Sequence, residues 1–538
     1  MMNVPLTLPM MMERAETYFP KKQVISRTLD GIHRMNYKEL GLRTRKLSHA
    51  LEKLGVQEGD KVGTFAWNHH RHLEAYFGIP GMGAVLHTIN IRLAGQHISY
   101  IVNHAEDRVL LIDADLLPLI EAVQDELNTV EAYVVMTDQE ELPDTSLAPV
   151  YHYEKLLEGA DASYDFKKDI DENAPAGMCF TSATTGNPKG VVYSHRSIVL
   201  HSMALGLADS AAVSESDVTM PVVPMFHANA WGLPFAAVWF GTTQVMPGPQ
   251  FTPQALAELI ESEKVTLSAG VPTIWLGLLR ELDTGDYDTS SLRAVLCGGS
   301  AAPKGMIQAF ESKYNIPFIH AYGMTETTPL VSLSRLKSYQ TDLEEEERLE
   351  IRSKQGTMVP GVEMKVIGKD GEINWDGQEM GELLLRGPWI ADEYYQDDRS
   401  SQAFVDGWLH TGDVVTVDEE GTIKIVDRTK DLIKSGGEWI SSVDLENALM
   451  AHEAVFEASV IAVPHEEWQE RPLACVVLHE GTHASKQEIY DFLKPQFAKW
   501  WLPDDIVFMK EIPKTSVGKF LKRALRDQLS DHFVVAND

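Results

Sequence analysis

Apolar segments and helical patterns alternate in the first part of the chain. Between residues 61 and 113, short apolar runs at 62–65, 85–89 and 109–112 are separated by two stretches whose apolar residues recur at helical spacing. Short apolar runs between helical patterns are typical of buried parallel strands, and this segment predicts a βαβαβ unit. A similar alternation returns near residues 265–269, 294–296 and 316–319. We therefore expect an α/β fold with parallel sheets covered by helices.

The pattern changes twice toward the end of the chain. Between residues 365 and 425 it becomes a series of short strands with turn signals such as Asp406-Gly407, which predicts a β-rich subdomain. From Asp427 a stretch rich in Lys, Asp and Gly follows, DRTKDLIKSGGEW, in which two rigid bodies could pivot. Ser441 and Asp444 then resemble a capping box at the start of a helix. We expect a large N-terminal domain at residues 1–427 and a small, mobile α+β domain at residues 428–538.

The composition limits the classes of function. The chain has 538 residues, 44% of them hydrophobic, which is enough for a large core. Lys and Arg total 47 against 79 for Asp and Glu, a net charge of −32, so we expect no nucleic-acid partner. The three cysteines form no paired or metal-binding motif, which is typical of a reduced, cytoplasmic protein. The best candidate for a membrane span, residues 219–240, contains three prolines, and we expect no integral membrane segment.

One segment carries the strongest chemical signal, FTSATTGNPKGV at residues 180–191. Apolar residues precede it and a helical pattern follows. We therefore expect a loop between a strand and a helix, where backbone N–H groups and the helix N-terminus hold anionic oxygen. The segment is not a Walker A loop, because Gly190 and Val191 follow its lysine. The candidate phosphate-binding residues are Thr181, Ser182, Thr184, Thr185, Gly186 and Lys189.

Six further motifs follow in order, and together with the loop they resemble the adenylate-forming enzymes. That family includes acyl-CoA synthetases, luciferases and the adenylation domains of peptide synthetases. The resemblance extends from about residue 37 to residue 529. One position departs from the family pattern, because Ala183 stands where the family usually has glycine. The motifs are CGGSAAP (297–303), AYGMTE (321–326), GELLLRGPWI (381–390), HTGD (410–413), DRTKDLIKSGGEWIS (427–441) and PKTSVGK (513–519).

The resemblance implies an ATP site to which each motif contributes. Glu326 and Thr184 would hold Mg²⁺, a cation that takes oxygen ligands. Lys519 would stabilise the transition state in which a carboxylate attacks the α-phosphorus of ATP. Asp413 and Arg428 would contact the ribose, since a carboxylate offers two acceptor oxygens. The remaining residues that would contact the nucleotide are Gly299, His320, Ala321, Tyr322 and Thr325.

The resemblance also implies a second half-reaction after rotation of the small domain. Lys430 would be the hinge, and Lys434 and Trp439 would lie in the loop that then enters the site and admits the thiol of CoA. The segment PMFHANAW at residues 224–231 resembles the acyl-pocket helix of the medium- and long-chain fatty acid members. The residues that would line the acyl tunnel near the reacting carboxyl are His227, Ala228 and Trp231.

These implications predict a fatty acid–CoA ligase that uses ATP, Mg²⁺ and CoA. A medium- or long-chain fatty acid would be activated to an acyl-adenylate and then transferred to CoA, with release of AMP and pyrophosphate. Two alternatives stay open, namely transfer to the thiol of a carrier protein and a non-catalytic acyl- or nucleotide-binding sensor on the same fold. The apolar N-terminal methionine cluster is compatible with the interface of a homodimer.

Overall fold

The fold is described by a computed structural model, which covers residues 1–182, 187–435, 438–465, 467–515 and 518–529. Within these residues the strands form four sheets. None of the described helices has the length and the apolar character needed to cross a membrane. The helices are Leu8–Tyr18, Tyr37–Lys53, His70–Gly81, Gly95–Ala105, Leu117–Glu121, Tyr153–Glu158, His195–Leu205, Leu233–Phe240, Pro253–Glu263, Pro272–Thr284, Lys304–Gln308, Glu345–Ser353, Ser400–Ala403, Ser442–Met450, Lys486–Leu493 and Lys522–Gln528.

The first sheet contains the predicted βαβαβ unit. Strands Lys61–Phe65, Val85–Thr88 and Asp107–Asp113 are parallel, and helices His70–Gly81 and Gly95–Ala105 form the two crossovers. Every residue of Val85–Thr88 is buried, as expected for a parallel strand that helices cover on both faces. In spatial order the strands are Val150–His152, Ala132–Met136, Asp107–Asp113, Lys61–Phe65, Val85–Thr88, Pro175–Phe180 and Gly190–Ser194.

The second sheet is parallel in its centre and antiparallel at both edges. It confirms the second predicted alternation, since strands Leu267–Gly270, Ala294–Cys297 and Phe318–Gly323 lie side by side. Their carboxyl ends meet at one edge, which is where open α/β sheets bind ligands. In spatial order the strands are Thr357–Met358, Leu330–Leu333, Phe318–Gly323, Ala294–Cys297, Leu267–Gly270, Val218–Pro221, Thr243–Met246, Gln23–Thr28 and Gly31–Asn36.

The predicted phosphate loop lies in a β-hairpin. Pro175–Phe180 pairs antiparallel with Gly190–Ser194, and the helix His195–Leu205 begins only after that second strand, with Ser194 as its N-cap. The expectation of a helix N-terminus at the loop is therefore wrong. Two adjacent valines after the loop explain the difference, because β-branched side chains favour an extended strand over the first turn of a helix.

The third sheet confirms the predicted β-rich subdomain. Ile423–Arg428 pairs with Trp408–Val417, and this register places Arg428 directly opposite Asp413. Two motifs that are separated along the chain therefore meet on neighbouring strands. The other strands of the sheet, in spatial order, are Gly371–Glu372, Glu363–Gly368, Gly381–Arg386 and, beyond Trp408–Val417, Phe404–Val405.

The fourth sheet lies in the C-terminal part of the chain. Ser441 caps the helix Ser442–Met450, and its hydroxyl also donates to the Val426 carbonyl of the third sheet (2.7 Å). The predicted domain boundary falls at the last residue of strand Ile423–Arg428 and stays a prediction. In spatial order the strands are Glu438–Ile440, Ile433–Ser435, Gln469–Leu478 and Val455–His465, with Asp505–Phe508 parallel to Gln469–Leu478.

Candidate active site

A cavity of about 430 Å³ lies where the first three sheets meet the C-terminal part of the chain. Residues from the phosphate-loop hairpin, from the carboxyl edge of the second sheet and from the third sheet all face it. The sequence motifs therefore converge on one space. The predicted site residues that line the cavity are Thr181, Ser182, Lys189, His227, Ala228, Trp231, Gly299, Ala321, Tyr322, Thr325, Glu326, Arg428, Lys430 and Lys519.

A buried carboxylate organises one end of this cavity. Asp413 is 2% exposed; its Oδ2 accepts from the Tyr322 hydroxyl (2.6 Å), and its Oδ1 pairs with Nε of Arg428 (2.8 Å). The Asp413 carboxylate raises the pKa of Arg428, and burial together with Asp413 raises the pKa of the Tyr322 phenol. The three side chains thus form a fixed, charge-assisted array. Such an array suits hydroxyl groups that can both donate and accept hydrogen bonds.

A second charged group lies at the base of the phosphate loop. Glu326 is 4% exposed, and its Oε1 accepts a hydrogen bond from the Tyr394 hydroxyl (2.7 Å). Lys189 donates from Nζ to the same hydroxyl (2.8 Å) and lies 3.9 Å from Oε1. Burial lowers the pKa of Lys189, while the Glu326 carboxylate opposes that shift. Lys189 and Glu326 thus place a cation and an anion beside the loop that the sequence assigns to phosphate.

The donor set around Glu326 suits a magnesium ion. Mg²⁺ keeps several waters and usually binds through one or two carboxylates together with substrate phosphates. Within the described ranges, no cluster of three or more His, Cys, Asp or Glu side chains is arranged to hold a metal ion by protein ligands alone. A single buried carboxylate beside the predicted phosphate loop matches this mode of binding. Thr184, the other predicted ligand, lies outside the described residues.

Lys519 reaches the cavity from the C-terminal part of the chain. Gly299 has a φ of +85°, and a Cβ at that position would lie 3.2 Å from Val271 and 3.6 Å from Cε of Lys519. The Val271 contact would be tight and the backbone conformation disfavours any side chain, so glycine suits this position beside the lysine stem. Burial and the nearby charge of Arg428 lower the pKa of Lys519 to about 8, against the opposing effect of Asp413 and Glu326. Lys519 is therefore charged at neutral pH and loses its charge in mildly alkaline solution.

This pKa predicts an alkaline limb in the pH profile. Lys519 can stabilise negative charge only as an ammonium, so kcat/KM for pyrophosphate release should fall as the pH rises through about 8. The Lys519→Arg variant should be slower, but it should lack this limb, because a guanidinium stays protonated. Initial rates of both proteins across neutral and alkaline pH test the prediction. An unchanged limb in the arginine variant would assign it to another group.

The predicted acyl-pocket helix is a left-handed turn. Ala228, Asn229, Ala230 and Trp231 have φ values of 43°, 53°, 50° and 57°, and the right-handed helix Leu233–Phe240 begins only after Gly232. The helical expectation for PMFHANAW is therefore wrong at residues 228–231. Left-handed backbone costs about 1–2 kcal/mol per non-glycine residue, and burial of the first three side chains helps to offset that cost. Such strain concentrates at functional sites.

The residue that ends this turn cannot accept a side chain. Gly232 has a φ of +74°, and a Cβ there would lie 2.6 Å from Nδ1 of His201, whose ring is fixed because Nε2 accepts the Leu330 N–H (3.2 Å). We expect Gly232→Ala to lower the free energy of unfolding by about 1–3 kcal/mol. Gly305→Ala is the matched control, because no atom lies within 4 Å of its Cβ position. Urea unfolding of both variants tests the difference, and equal stability would contradict it.

The end of the cavity near Trp231 is apolar. Burial, with a smaller effect of Lys519, lowers the pKa of His227 to about 3, so its imidazole is neutral at working pH. Trp231 packs against a cluster of buried apolar side chains that contributes to the described cavity lining, and Lys519, whose charge acts on His227, lies where this end joins the charged groups. An apolar chain without a second charge therefore fits this surface. The apolar lining residues beyond Trp231 are Leu205, Leu233, Leu296, Pro329, Leu330 and Leu333.

Several predicted residues lie elsewhere. The ring of His320 is buried and turned to the Ser353 carbonyl (Nδ1 to O, 3.0 Å), so His320 does not line the cavity. Lys434 and Trp439 pair across the hairpin Ile433–Ser435 and Glu438–Ile440, outside the cavity. Asp413 is not among the described lining residues, but two residues that line the cavity, Tyr322 and Arg428, contact its carboxylate. Thr184, Thr185 and Gly186 lie outside the described residues, as does Ala183.

Sequence reasoning missed Tyr394, which contacts both charged groups of the predicted phosphate site. It follows the motif GELLLRGPWI in the short segment ADEYYQD. An aromatic pair among acidic residues directly after a motif was the only available signal. The set of leucines at the apolar end was also missed, because its members come from four separate elements of the chain and share no local pattern.

Comparison with known proteins identifies the family. The model of the AMP-binding enzyme family matches residues 12–395, and that of the AMP-binding enzyme C-terminal domain matches residues 444–519. The chain is 50% identical to a long-chain-fatty-acid–CoA ligase of Thermus thermophilus, over 99% of this chain and 97% of that protein. It is 43% identical to a 3-methylmercaptopropionyl-CoA ligase of Ruegeria lacuscaerulensis, over 99% and 98%.

The fold is also that of a solved CoA ligase. The crystal structure of the anthranilate CoA ligase AuaEII in complex with anthranoyl-AMP superposes with a TM-score of 0.88 at 26% identity, covering 99% of both chains. The CoA ligases of this family use ATP, Mg²⁺ and CoA. The chain belongs to the AMP-binding enzyme family and is an AMP-forming acyl-CoA synthetase.

Proposed function

We propose that the protein is a medium- or long-chain fatty acid–CoA ligase that works through an acyl-adenylate. One observation carries this proposal: a single cavity joins an apolar end near Trp231 to the charged groups Lys189, Glu326 and Lys519. A carboxylate at the junction would have its alkyl chain in apolar surroundings and its oxygens beside the cations. The relative named for long-chain fatty acids, at 50% identity, supports the same substrate class.

In the first half-reaction, a carboxylate oxygen of the fatty acid attacks the α-phosphorus of ATP. The bond between the α-phosphorus and the bridging oxygen breaks, and pyrophosphate leaves. Lys519 would lower the repulsion between the two anions and stabilise the charge that develops in the transition state. Lys189 would hold the leaving phosphates, and Asp413 with Arg428 would orient the ribose. Magnesium, bound by Glu326 and Thr184 together with phosphate oxygens, would neutralise part of the phosphate charge.

In the second half-reaction, the thiolate sulfur of CoA attacks the acyl carbonyl, and the bond to the phosphate oxygen breaks to release AMP. The thiol proton passes to solvent, so no protein base is required. We propose that residues 428–538 rotate as one domain relative to residues 1–427, with Lys430 as the hinge. Lys519 would then leave the site, and the hairpin with Lys434 and Trp439 would enter it. The position of this hairpin outside the cavity supports such a step.

Two assays on the purified protein test this function. Pyrophosphate release and acyl-CoA formation are measured with ATP and Mg²⁺, each with and without CoA. The acids are a saturated series from butyrate to stearate, with benzoate and an α-amino acid as controls. We expect acyl-CoA from medium or long chains, and little product from the amino acid, because no described residue at the apolar end would pair its ammonium group.

Each other outcome points to a different function. Pyrophosphate release without acyl-CoA would favour a carrier-protein thiol as acceptor. Acyl-CoA from benzoate or butyrate alone would contradict the fatty acid assignment. Failure with every acid would favour a binding protein. A homodimer stays a prediction, and light scattering of the purified protein at the mass of a single chain would contradict it.

A further inference from the structure

The segment after the motif GELLLRGPWI joins the phosphate-loop hairpin to the turn that carries Glu326. The Ala391 N–H donates to the Glu326 carbonyl (2.8 Å), and the Tyr395 N–H donates to the Gly190 carbonyl (2.8 Å). Arg399 donates from Nη1 to the Asn187 carbonyl on the same hairpin (3.1 Å). The segment at residues 391–399 therefore fixes two elements that come from different sheets.

Tyr394 connects the two charged side chains of these elements. Its hydroxyl donates to Oε1 of Glu326 (2.7 Å) and accepts from Nζ of Lys189 (2.8 Å). The direct distance from Nζ to Oε1 is 3.9 Å, too long for a hydrogen bond. The Lys189 ammonium also lies 4.0 Å from the centre of the Tyr394 ring, within range of a cation–π contact. The hydroxyl is thus the link between the cation and the anion.

The tyrosine itself is held firmly. Tyr394 is 4% exposed, its N–H donates to Oγ of Ser400 (2.9 Å), and its ring packs edge-on against Phe404 (5.1 Å between centroids). A phenol can donate one hydrogen bond and accept another. Tyr394 can therefore satisfy both partners at once, and a phenylalanine in the same place could satisfy neither.

We propose that Tyr394 is a positioning residue for the pyrophosphate end of MgATP. Its hydroxyl holds Lys189 and Glu326 in place before the nucleotide arrives and keeps their ion pair, 3.9 Å from Nζ to Oε1, from closing to hydrogen-bond distance. Oε1 of Glu326 is engaged by Tyr394, so Oε2 is the oxygen we assign to the cation. Ordering both side chains in advance lowers the entropic cost of binding the triphosphate. This inference rests on the proposed function only for the roles of Lys189 and Glu326.

The test compares nucleotide binding by Tyr394→Phe and Tyr395→Phe. The second variant is a matched control, because the Tyr395 hydroxyl accepts only a contact from the exposed Gln396 amide among its described hydrogen bonds (3.1 Å). Isothermal titration calorimetry without fatty acid measures the affinities for MgATP and for AMP. We expect Tyr394→Phe to bind MgATP about tenfold to a hundredfold more weakly, because hydrogen bonds to charged groups are lost. AMP affinity should stay at the wild-type value, since AMP lacks the β- and γ-phosphates.

Steady-state kinetics add a second readout. In Tyr394→Phe the KM for ATP should rise by the same factor, while the KM for the fatty acid stays unchanged. Wild-type affinity for MgATP in this variant would overturn the proposal. Equal weakening of MgATP and AMP would also overturn it, because a general packing defect would affect both ligands. Lack of acid-dependent pyrophosphate release by the wild type would instead contradict the proposed function, and the binding comparison would still decide the role of Tyr394.

Discussion

Replacing Lys519 by alanine should reduce pyrophosphate release by about a hundredfold to a thousandfold, the usual effect of removing one group that stabilises transition-state charge. Lys519 lines the cavity together with Glu326 and Arg428, and its ammonium would be the cation closest to the charge that develops during adenylation. Rates are measured with a fatty acid that the wild type accepts, at saturating ATP and neutral pH.

The same variant should keep the second half-reaction. Supplied with synthetic acyl-adenylate and CoA, Lys519→Ala should form acyl-CoA at a rate close to that of the wild type, because the proposed rotation removes the lysine from the site in that step. Lys510→Ala is the matched control. Its side chain lies in the preceding segment, is exposed and does not line the cavity, so both rates should stay normal. Equal loss of both half-reactions in Lys519→Ala would contradict the assignment.

Replacing Asp413 by asparagine should weaken the binding of AMP and of MgATP equally, by about tenfold to a hundredfold. The carboxylate accepts from Tyr322 and pairs with Arg428 at once, and a neutral amide cannot replace both interactions. The lost array lies at the end assigned to adenosine, which both nucleotides share. Calorimetric titrations with the two nucleotides measure the effect.

Asp370→Asn serves as control, because Asp370 is an exposed turn residue of the same sheet. Its affinities should equal those of the wild type. Comparison with Tyr394→Phe then separates the two ends of the nucleotide site, since that variant should lose affinity for MgATP alone. Loss of MgATP affinity without loss of AMP affinity in Asp413→Asn would contradict the assignment of this carboxylate to the ribose.

The sheets were predictable because their signal is local. Buried parallel strands such as Val85–Thr88 appear as short apolar runs. In the helices between them, the apolar residues recur at helical spacing. The hairpin strand Gly190–Ser194 was missed because the local signal there comes from the next element. The strand has only five residues, and the helical spacing of apolar residues in the helix that follows directly hides its own alternation.

The turn at residues 228–231 could not be predicted from its sequence. Asn adopts positive φ more often than most residues, but Ala and Trp are ordinary residues of right-handed helices, and nothing in the letters ANAW predicts four consecutive residues with positive φ. The conformation is imposed by burial of the turn and by Gly232, which meets the fixed ring of His201. Tertiary packing therefore decides the backbone here, at the wall of the candidate acyl pocket.

Some of the site residues could likewise be predicted from the sequence, and others could not. Motif resemblance assigned Glu326, Asp413, Arg428 and Lys519 to one site, and these residues do come together at the cavity or beside it. Tyr394 was not assigned, because its role depends on two distances to residues that lie far away along the chain. Resemblance transfers known positions, whereas a contact of this kind becomes visible only in three dimensions.

The acyl-adenylate is the central claim, and oxygen transfer tests it most directly. A fatty acid labelled with oxygen-18 in its carboxyl group is converted to acyl-CoA with unlabelled ATP, and the products are analysed by mass spectrometry. If the carboxylate attacks the α-phosphorus, one labelled oxygen remains on the phosphate of AMP, and pyrophosphate carries none. Label in pyrophosphate or in inorganic phosphate, or AMP without label, would contradict the mechanism.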